Sequence, residues 1–128
     1  MCKICDEDPT SHSFEFIGET TDAKNIYYTC PSKATKYWDT KGILSHYEEL
    51  LDANNNHHWI WVFDSQGFGL KHSMEFATAL GLLKILKKHN ESLCEIRIIN
   101  PTIYIKSFYG LLKPFINQDI IDRIIWVK

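Results

Sequence analysis

The sequence has no long apolar run and no excess of basic residues. No hydrophobic stretch approaches the roughly 18 residues that a membrane-spanning helix needs, and no signal-peptide core follows Met1. We therefore expect a cytoplasmic domain. The formal net charge is −2, whereas binding to phosphate backbones requires a basic excess. The composition therefore predicts no nucleic acid among the partners.

The motifs of familiar enzymes are also missing. There is no G-x-S-x-G nucleophile elbow, and Gly67-Phe68-Gly69 lacks the Lys-Ser/Thr pair that ends a phosphate-binding loop. The only grouping that suggests hydrolysis is Asp64, Ser65, His72 and Glu75. Asp64 is more simply explained as a carboxylate that accepts backbone N–H bonds in a loop. We therefore predict that the protein is not an enzyme and has no cofactor.

Cysteine is scarce, and without a signal peptide the four thiols should be reduced. Cys2-Lys3-Ile4-Cys5 has the spacing of half a zinc knuckle, to which His12 or Cys30 could add ligands. A closed zinc site needs four well-placed ligands, and only this one pair has a recognisable spacing. We therefore predict no metal site. Residues 1–13 should be a disordered N-terminus with free thiols, and chelators should leave stability unchanged.

The residues that are present suit one globular domain, which we place at residues 14–128. The 128 residues are 45% apolar and 13% aromatic, which is enough for a substantial core. Residues 59–63 are consecutive β-branched and aromatic residues and predict a buried central strand. Asp64 ends this strand, and Gly67 and Gly69 are free to form the turn that follows. Ligands usually bind α/β folds at the carboxyl end of such a strand.

The flanking segments predict the rest of the sheet. Residues 14–17 and 26–30 should form a hairpin at one edge, and residues 41–53 an amphipathic helix. An apolar helix at residues 73–89, with Ser73 as its N-cap, leads into a strand at residues 94–99 that should pair in parallel with the central strand. An aromatic-rich helix, a short helix and a last strand at 123–127 complete the chain. The expected fold is a single mixed, largely parallel β-sheet with flanking helices.

Several motifs together resemble the CRAL-TRIO, or Sec14-like, lipid-binding domain. They are Asp64-x-x-Gly67 after an apolar strand, Ile98-Ile99-Asn100-Pro101-Thr102, Leu112-Lys113-Pro114-Phe115-Ile116 and Arg123-Ile124-Ile125-Trp126. The resemblance covers residues 59–128. The amino-acid sequence of residues 100–116 is most similar to that of the divergent branch found in ganglioside-induced differentiation-associated proteins and some Rho GTPase-activating proteins.

This resemblance implies a CRAL-TRIO/SpoIIAA-like sheet, here without the family's N-terminal helical lobe, with helices on one face and an apolar cavity on the other. It also implies a hydrophobic ligand such as a phospholipid or phosphoinositide, and transient contact with a membrane surface. Residues 104–115 would be the mobile gate over the cavity. The residues expected to contact lipid are Phe63, Phe68, Ile99, Ile103, Tyr104, Phe108, Leu111 and Phe115.

Two other functions fit the same residues. The domain could be a protein-interaction scaffold without lipid, which binds a small GTPase or a second copy of itself. The loop from Asp64 to Leu70 also resembles the phosphorylation loop of STAS domains, in which Ser65 would be the modified residue.

Gly110 lies within the predicted gate helix. It could either loosen this helix or allow a close approach of the helix to the sheet.

Overall fold

The computed structural model describes residues 2–127, which form a five-stranded sheet with helices. The strands are β1 (Glu15–Glu19), β2 (Asn25–Thr29), β3 (Trp59–Asp64), β4 (Leu93–Ile99) and β5 (Ile124–Trp126). The helices are α1 (Lys3–Glu7), α2 (Thr40–Ala53), α3 (Leu70–Ser73), α4 (Phe76–Lys88), α5 (Ile103–Leu112) and α6 (Gln118–Ile121), with 3₁₀ turns at Pro31–Lys33 and Lys113–Phe115. None of these helices is long and apolar enough to cross a membrane.

The strands are ordered β1-β2-β3-β4-β5 across the sheet. β1 and β2 are antiparallel, whereas β2, β3, β4 and β5 run parallel to one another. The predicted edge hairpin and the parallel pairing of β3 with β4 are therefore correct, and the mixed, largely parallel sheet with flanking helices is confirmed.

The main core lies on one face of the sheet. Alternate residues of a strand point to the same face, so Trp59 and Trp61 of β3 share a face with Ile96 and Ile98 of β4. Buried residues of α2, α4 and α6 pack against them, namely Ile43, Tyr47, Leu51, Ile85, Leu86 and Ile120. Amphipathic helices cover this face because each has an apolar stripe that must leave water.

The long helix predicted after β3 is in fact two helices. Ser73 is the last residue of α3, and its hydroxyl donates to the Leu70 carbonyl (2.7 Å). α4 begins only at Phe76. The prediction that Ser73 caps a helix over residues 73–89 is therefore wrong, because its hydroxyl is used within the preceding turn and is not aimed at the N–H groups of α4.

The N-terminal segment also differs from the disordered terminus that we expected. Residues 3–7 form α1, and the side chains of Ser11 and His12 are buried. Backbone hydrogen bonds join Thr35 to the Thr10 carbonyl and Lys36 to the Ser11 carbonyl (both 2.9 Å). The segment is therefore attached to the domain by its own main chain. Met1 lies outside the described residues.

The turn after β3 depends on a glycine. Gly67 has φ +75°, and a Cβ at this position would lie 2.8 Å from the side chain of Ser32. Both facts exclude a larger residue without rearrangement. Gly69, in contrast, has an extended backbone (φ −123°), so only the first of the two glycines uses the conformational freedom that we expected.

Candidate functional site

An apolar cavity of about 180 Å³ lies between the sheet and the helices. Its floor is formed by inward-facing strand residues, and its walls by residues of α2, α4 and α5. The lining includes Trp61, Phe63, Ile98, Tyr47, Leu82 and Phe108. The cavity thus lies on the same face as α2 and α4. The expectation of helices on one face and a cavity on the other is wrong, because α2 and α4 form two of the cavity walls.

The polar groups at one end of the cavity already have partners. The Tyr47 hydroxyl is 2.9 Å from Thr29 Oγ1, which also accepts a hydrogen bond from Trp61 Nε1 (2.9 Å). Burial raises the pKa of Tyr47, so that its phenol stays neutral. Because these groups satisfy one another, this end of the cavity presents little free hydrogen-bonding capacity to a ligand.

α5 has one buried face and one exposed face. Ile105 and Phe108 are buried and line the cavity, together with Tyr109 and Leu112. The Phe108 ring packs against Phe68 and Phe76, with centroid distances of 5.7 and 6.2 Å. The inner face of this helix therefore closes one side of the cavity.

The residues that we expected to contact lipid divide between these two faces. Phe63, Phe68 and Phe108 line the cavity. Ile103, Tyr104, Leu111 and Phe115 are instead 75%, 44%, 64% and 60% exposed. Ile99 is half-buried at the end of β4, paired with Asp64, and does not line the cavity.

The exposed apolar residues continue onto α3, which packs against α5. Leu70 of α3 and Met74, which follows this helix, are exposed. We call these residues the outer patch, which consists of Leu70, Met74, Ile103, Tyr104, Leu111 and Phe115. Lys71, Lys106 and Lys113 are exposed on the same segments. The outer patch is thus an apolar surface with lysines on the same segments, a combination typical of protein or membrane contact.

Hydrogen bonds anchor the start of α5 to the loop after β3. The Thr102 hydroxyl donates to the Phe68 carbonyl (2.9 Å) and accepts from the Ile105 N–H (3.2 Å), which caps the helix. Asn100 Nδ2 donates to Asp64 Oδ1 (3.1 Å). The N-terminus of α5 is therefore fixed, whereas its C-terminus runs into the 3₁₀ turn at Lys113–Phe115.

Asp64 organises the loop itself. Its carboxylate accepts hydrogen bonds from the Gln66 N–H (3.0 Å), the Tyr28 hydroxyl and Asn100. Burial alone would raise the pKa of Asp64, but these hydrogen bonds outweigh it and hold the pKa below its usual value. Asp64 thus accepts a backbone N–H as predicted, and its role here is structural.

Ser65 and His72, two further members of the grouping that suggested hydrolysis, are both buried. The Ser65 side chain is fully buried, so a kinase cannot reach it in this conformation, which argues against a STAS-like phosphorylation switch. His72 lines the cavity, and its Nδ1 accepts the Gly69 N–H (3.0 Å). Burial lowers the pKa of His72, and the ring is therefore neutral at pH 7.

Sequence reasoning missed the cavity residues of α2 and α4. Ile43 and Tyr47 of α2, and Thr78, Ala79, Leu82 and Leu83 of α4, line the cavity. Their helical periodicity showed that they face the interior. The same periodicity describes a fully packed interior, so it contains no signal for a gap between helix and sheet.

This geometry defines an α/β domain whose sheet and helices enclose an apolar site. Residues 32–128 match the family model of the CRAL/TRIO domain. The chain therefore belongs to the CRAL/TRIO family, as the motifs predicted. The match is to the family as a whole, and the divergent branch stays a prediction.

A solved structure gives the same fold. The crystal structure of Sfh5 superposes with a TM-score of 0.72 at 13% sequence identity, over 94% of this chain and 50% of that chain. The present chain thus spans about half the length of Sfh5. No curated protein matches the sequence.

Proposed function

We propose that the domain binds a hydrophobic ligand, such as a phospholipid, without catalysis and exchanges it at a membrane surface. The observation that supports this most directly is α5, which is apolar on both faces. Its inner face closes the cavity, and its outer face belongs to the outer patch. A helix that only completed a core would have a polar outer face.

The size of the cavity argues that α5 moves when ligand enters. A volume of about 180 Å³ is below the roughly 300–1,000 Å³ typical of ligand sites. An acyl chain therefore needs more room than the closed form provides. In our proposal α5 swings outward about its fixed, Thr102-capped end, and Phe63, Phe68 and Phe108 contact the ligand.

The outer patch would provide the membrane contact. Insertion of its apolar side chains into the interface releases water from them, and Lys71, Lys106 and Lys113 would attract anionic head groups. α5 carries part of this surface and is also the element that moves when the cavity opens. Contact with the membrane would therefore favour the open form of the domain. A phosphoinositide is the finer proposal within this class, supported by these lysines.

Ligand binding is tested on protein purified without detergent. Organic extracts analysed by mass spectrometry should contain a lipid, and the protein should take up a fluorescent phospholipid. Ala79→Leu places a larger side chain in the cavity wall, so uptake should fall several-fold while the melting temperature is unchanged or higher. If neither extract nor uptake assay detects lipid of any class, the proposal is wrong.

Membrane contact is tested separately by flotation with vesicles of phosphatidylcholine, alone or with phosphatidylserine or a phosphoinositide. Leu111→Asp should reduce binding at least several-fold, because it places a charge in the apolar surface. Ile17→Asp is the matched control, since Ile17 is also exposed but lies on β1. Equal effects of the two variants would contradict the proposed surface.

Failure of both the ligand-binding test and the membrane-binding test would favour the protein-interaction scaffold. Capture of a small GTPase is the direct assay for that alternative.

A further inference from the structure

Four potential metal ligands converge where the N-terminal segment meets α2. They are Cys2, Cys5, His12 and His46, and their ligand atoms all lie within 4.8 Å of one another. His12 Nδ1 is 3.5 Å from both Cys2 Sγ and Cys5 Sγ, and His46 Nδ1 is 3.6 Å from Cys5 Sγ. His46 lies 41 positions from Cys5, so the fold itself assembles the group.

These distances match a tetrahedral zinc site. With Zn–S near 2.3 Å and Zn–N near 2.05 Å, tetrahedral angles place sulfur and nitrogen about 3.5 Å apart. The three sulfur–nitrogen distances in the structure are 3.5, 3.5 and 3.6 Å. The thiols are free and half-buried rather than joined in a disulfide.

Both imidazoles are oriented as metal ligands. His12 Nε2 is 2.9 Å from Asp39 Oδ2, and His46 Nε2 is 2.7 Å from the Phe14 carbonyl oxygen. Each Nε2 must carry the proton to donate to such an acceptor, which leaves the Nδ1 lone pair directed at the thiols. A carboxylate or carbonyl that holds the second ring nitrogen is the usual support of a zinc-bound histidine.

The first residues of the N-terminal segment have little apolar burial that would hold the two cysteines in place. α1 is five residues long and has no buried residue, and a helix this short is unstable by itself in water. Cys2 and Cys5 nevertheless both contact His12, and Cys5 also contacts His46. A metal that joins α1 and residue 12 to α2 accounts for this arrangement, which apolar burial does not.

The cluster adjoins the ligand cavity. Ser13 and Tyr47 both line the cavity, and each follows a member of the cluster in the chain, His12 and His46. The Ser13 hydroxyl also accepts the Cys30 N–H (2.8 Å), at the end of β2. The cluster therefore lies next to one end of the cavity wall.

We propose that Cys2, Cys5, His12 and His46 bind one Zn²⁺ that attaches the N-terminal segment to α2. Two thiolates and two imidazoles in tetrahedral array are a donor set that zinc prefers, and four protein ligands leave no open position. The site is structural. Cys30, which the sequence offered as an alternative ligand, lies elsewhere, beside Ser32 and the Gln66 carbonyl.

The test uses the full chain without a histidine tag. Metal analysis of purified protein should find about one zinc per chain, and Co²⁺ added to the chelated protein should give the visible bands of a tetrahedral thiolate site. Chelation should lower the melting temperature, and zinc should restore it. Cys5→Ser and His46→Asn should each weaken zinc binding at least about 100-fold.

Two further variants separate metal binding from folding. Asp39→Asn keeps an N-cap for α2 but removes the carboxylate behind His12, so zinc affinity should fall about 10- to 100-fold. Cys94→Ser is the matched control, because Cys94 Sγ also contacts a histidine, His58 Nδ1 at 3.7 Å, but outside the cluster. It should leave zinc binding unchanged.

Three results would overturn the proposal. The first is a chelated, folded protein that binds neither Zn²⁺ nor Co²⁺ at micromolar concentration. The second is a Cys5→Ser variant that keeps full affinity. The third is a Cys2–Cys5 disulfide, seen as the loss of two mass units in protein prepared without oxidant, which would indicate a redox pair instead.

Discussion

The molecule contains two apolar clusters that differ in how firmly they hold the helices packed on them. The main core joins β2, β3 and β4 to α2 and α4, with Trp59 and Trp61 at its centre. The second cluster, beneath α5, is Phe68, Ile105 and Phe108. Because hydrophobic stabilisation grows with the apolar area removed from water, α5 is held much less firmly than the helices of the main core. A segment of low local stability is what an opening cavity requires.

The largest effect should come from removing the centre of the main core. Trp59 is fully buried, and its Nε1 donates to Ser92 Oγ (3.1 Å). Trp59→Ala should cost about 3–5 kcal/mol of unfolding free energy, measured by chemical denaturation. A loss below about 1 kcal/mol would show that the main core does not dominate stability.

A matched change in the second cluster should cost less and act locally. Phe108→Ala removes the ring that contacts Phe68 and Phe76, and we expect a loss of about 3 kcal/mol or less, because α5 can relax into the gap. Hydrogen exchange should speed up in α5 and stay slow in β3. Equal loss of protection in both would mean that the two clusters unfold together, and the comparison would fail. Phe108→Asp is the harsher version, since it buries a charge.

A change in the opposite direction should tighten α5. Gly110 lies in α5, and a Cβ there would meet no atom within 4 Å, so the idea that this glycine allows a close approach is wrong. Gly110→Ala should stabilise the protein by about 0.5–1 kcal/mol through helix propensity. It should also slow uptake of fluorescent phospholipid. Stabilisation with unchanged uptake would separate helix stability from gating.

The smallest expected effect is a pH dependence of stability, which comes from His72 beside the second cluster. Burial lowers the pKa of His72 below its value in the unfolded chain, near 6.5. The unfolded state therefore binds more protons below about pH 6.5, and stability should fall as the pH decreases through this range. The drop in melting temperature between pH 7.5 and 5.5 should be smaller in His72→Gln. An equal drop in both proteins would assign the effect to other groups.

The sequence located most strands and helices to within one or two residues. Hydrophobic periodicity and the residues that end a helix or strand are local properties of the sequence. Trp59–Asp64, for example, follows directly from a run of β-branched and aromatic residues ended by a carboxylate. The break between α3 and α4 was missed because Met74 and Glu75 are ordinary helix residues without glycine or proline. Phe115 was expected to contact lipid, but α5 ends at Leu112 and Phe115 lies exposed in the 3₁₀ turn that contains Pro114.

The candidate site was predicted less completely. Of the residues expected to contact lipid, Phe63, Phe68 and Phe108 line the cavity, and their contact with lipid stays a prediction. Composition could not distinguish the outer residues of α5 from the inner ones. Spacing singled out Cys2 and Cys5 and offered His12 as a further ligand, but it could not supply His46 and complete the cluster. Its fourth member comes from α2, and its position depends on tertiary structure.

The order of the strands across the sheet is also their order along the chain. Each strand from β2 onward pairs with the strand made just before it. During synthesis the β1–β2 hairpin can therefore form first, and every later strand adds to an edge that already exists. None of the five described strands must be inserted between two earlier ones, so their assembly does not require earlier pairing to open. Such a topology suits folding that proceeds from the N-terminus as the ribosome delivers the chain.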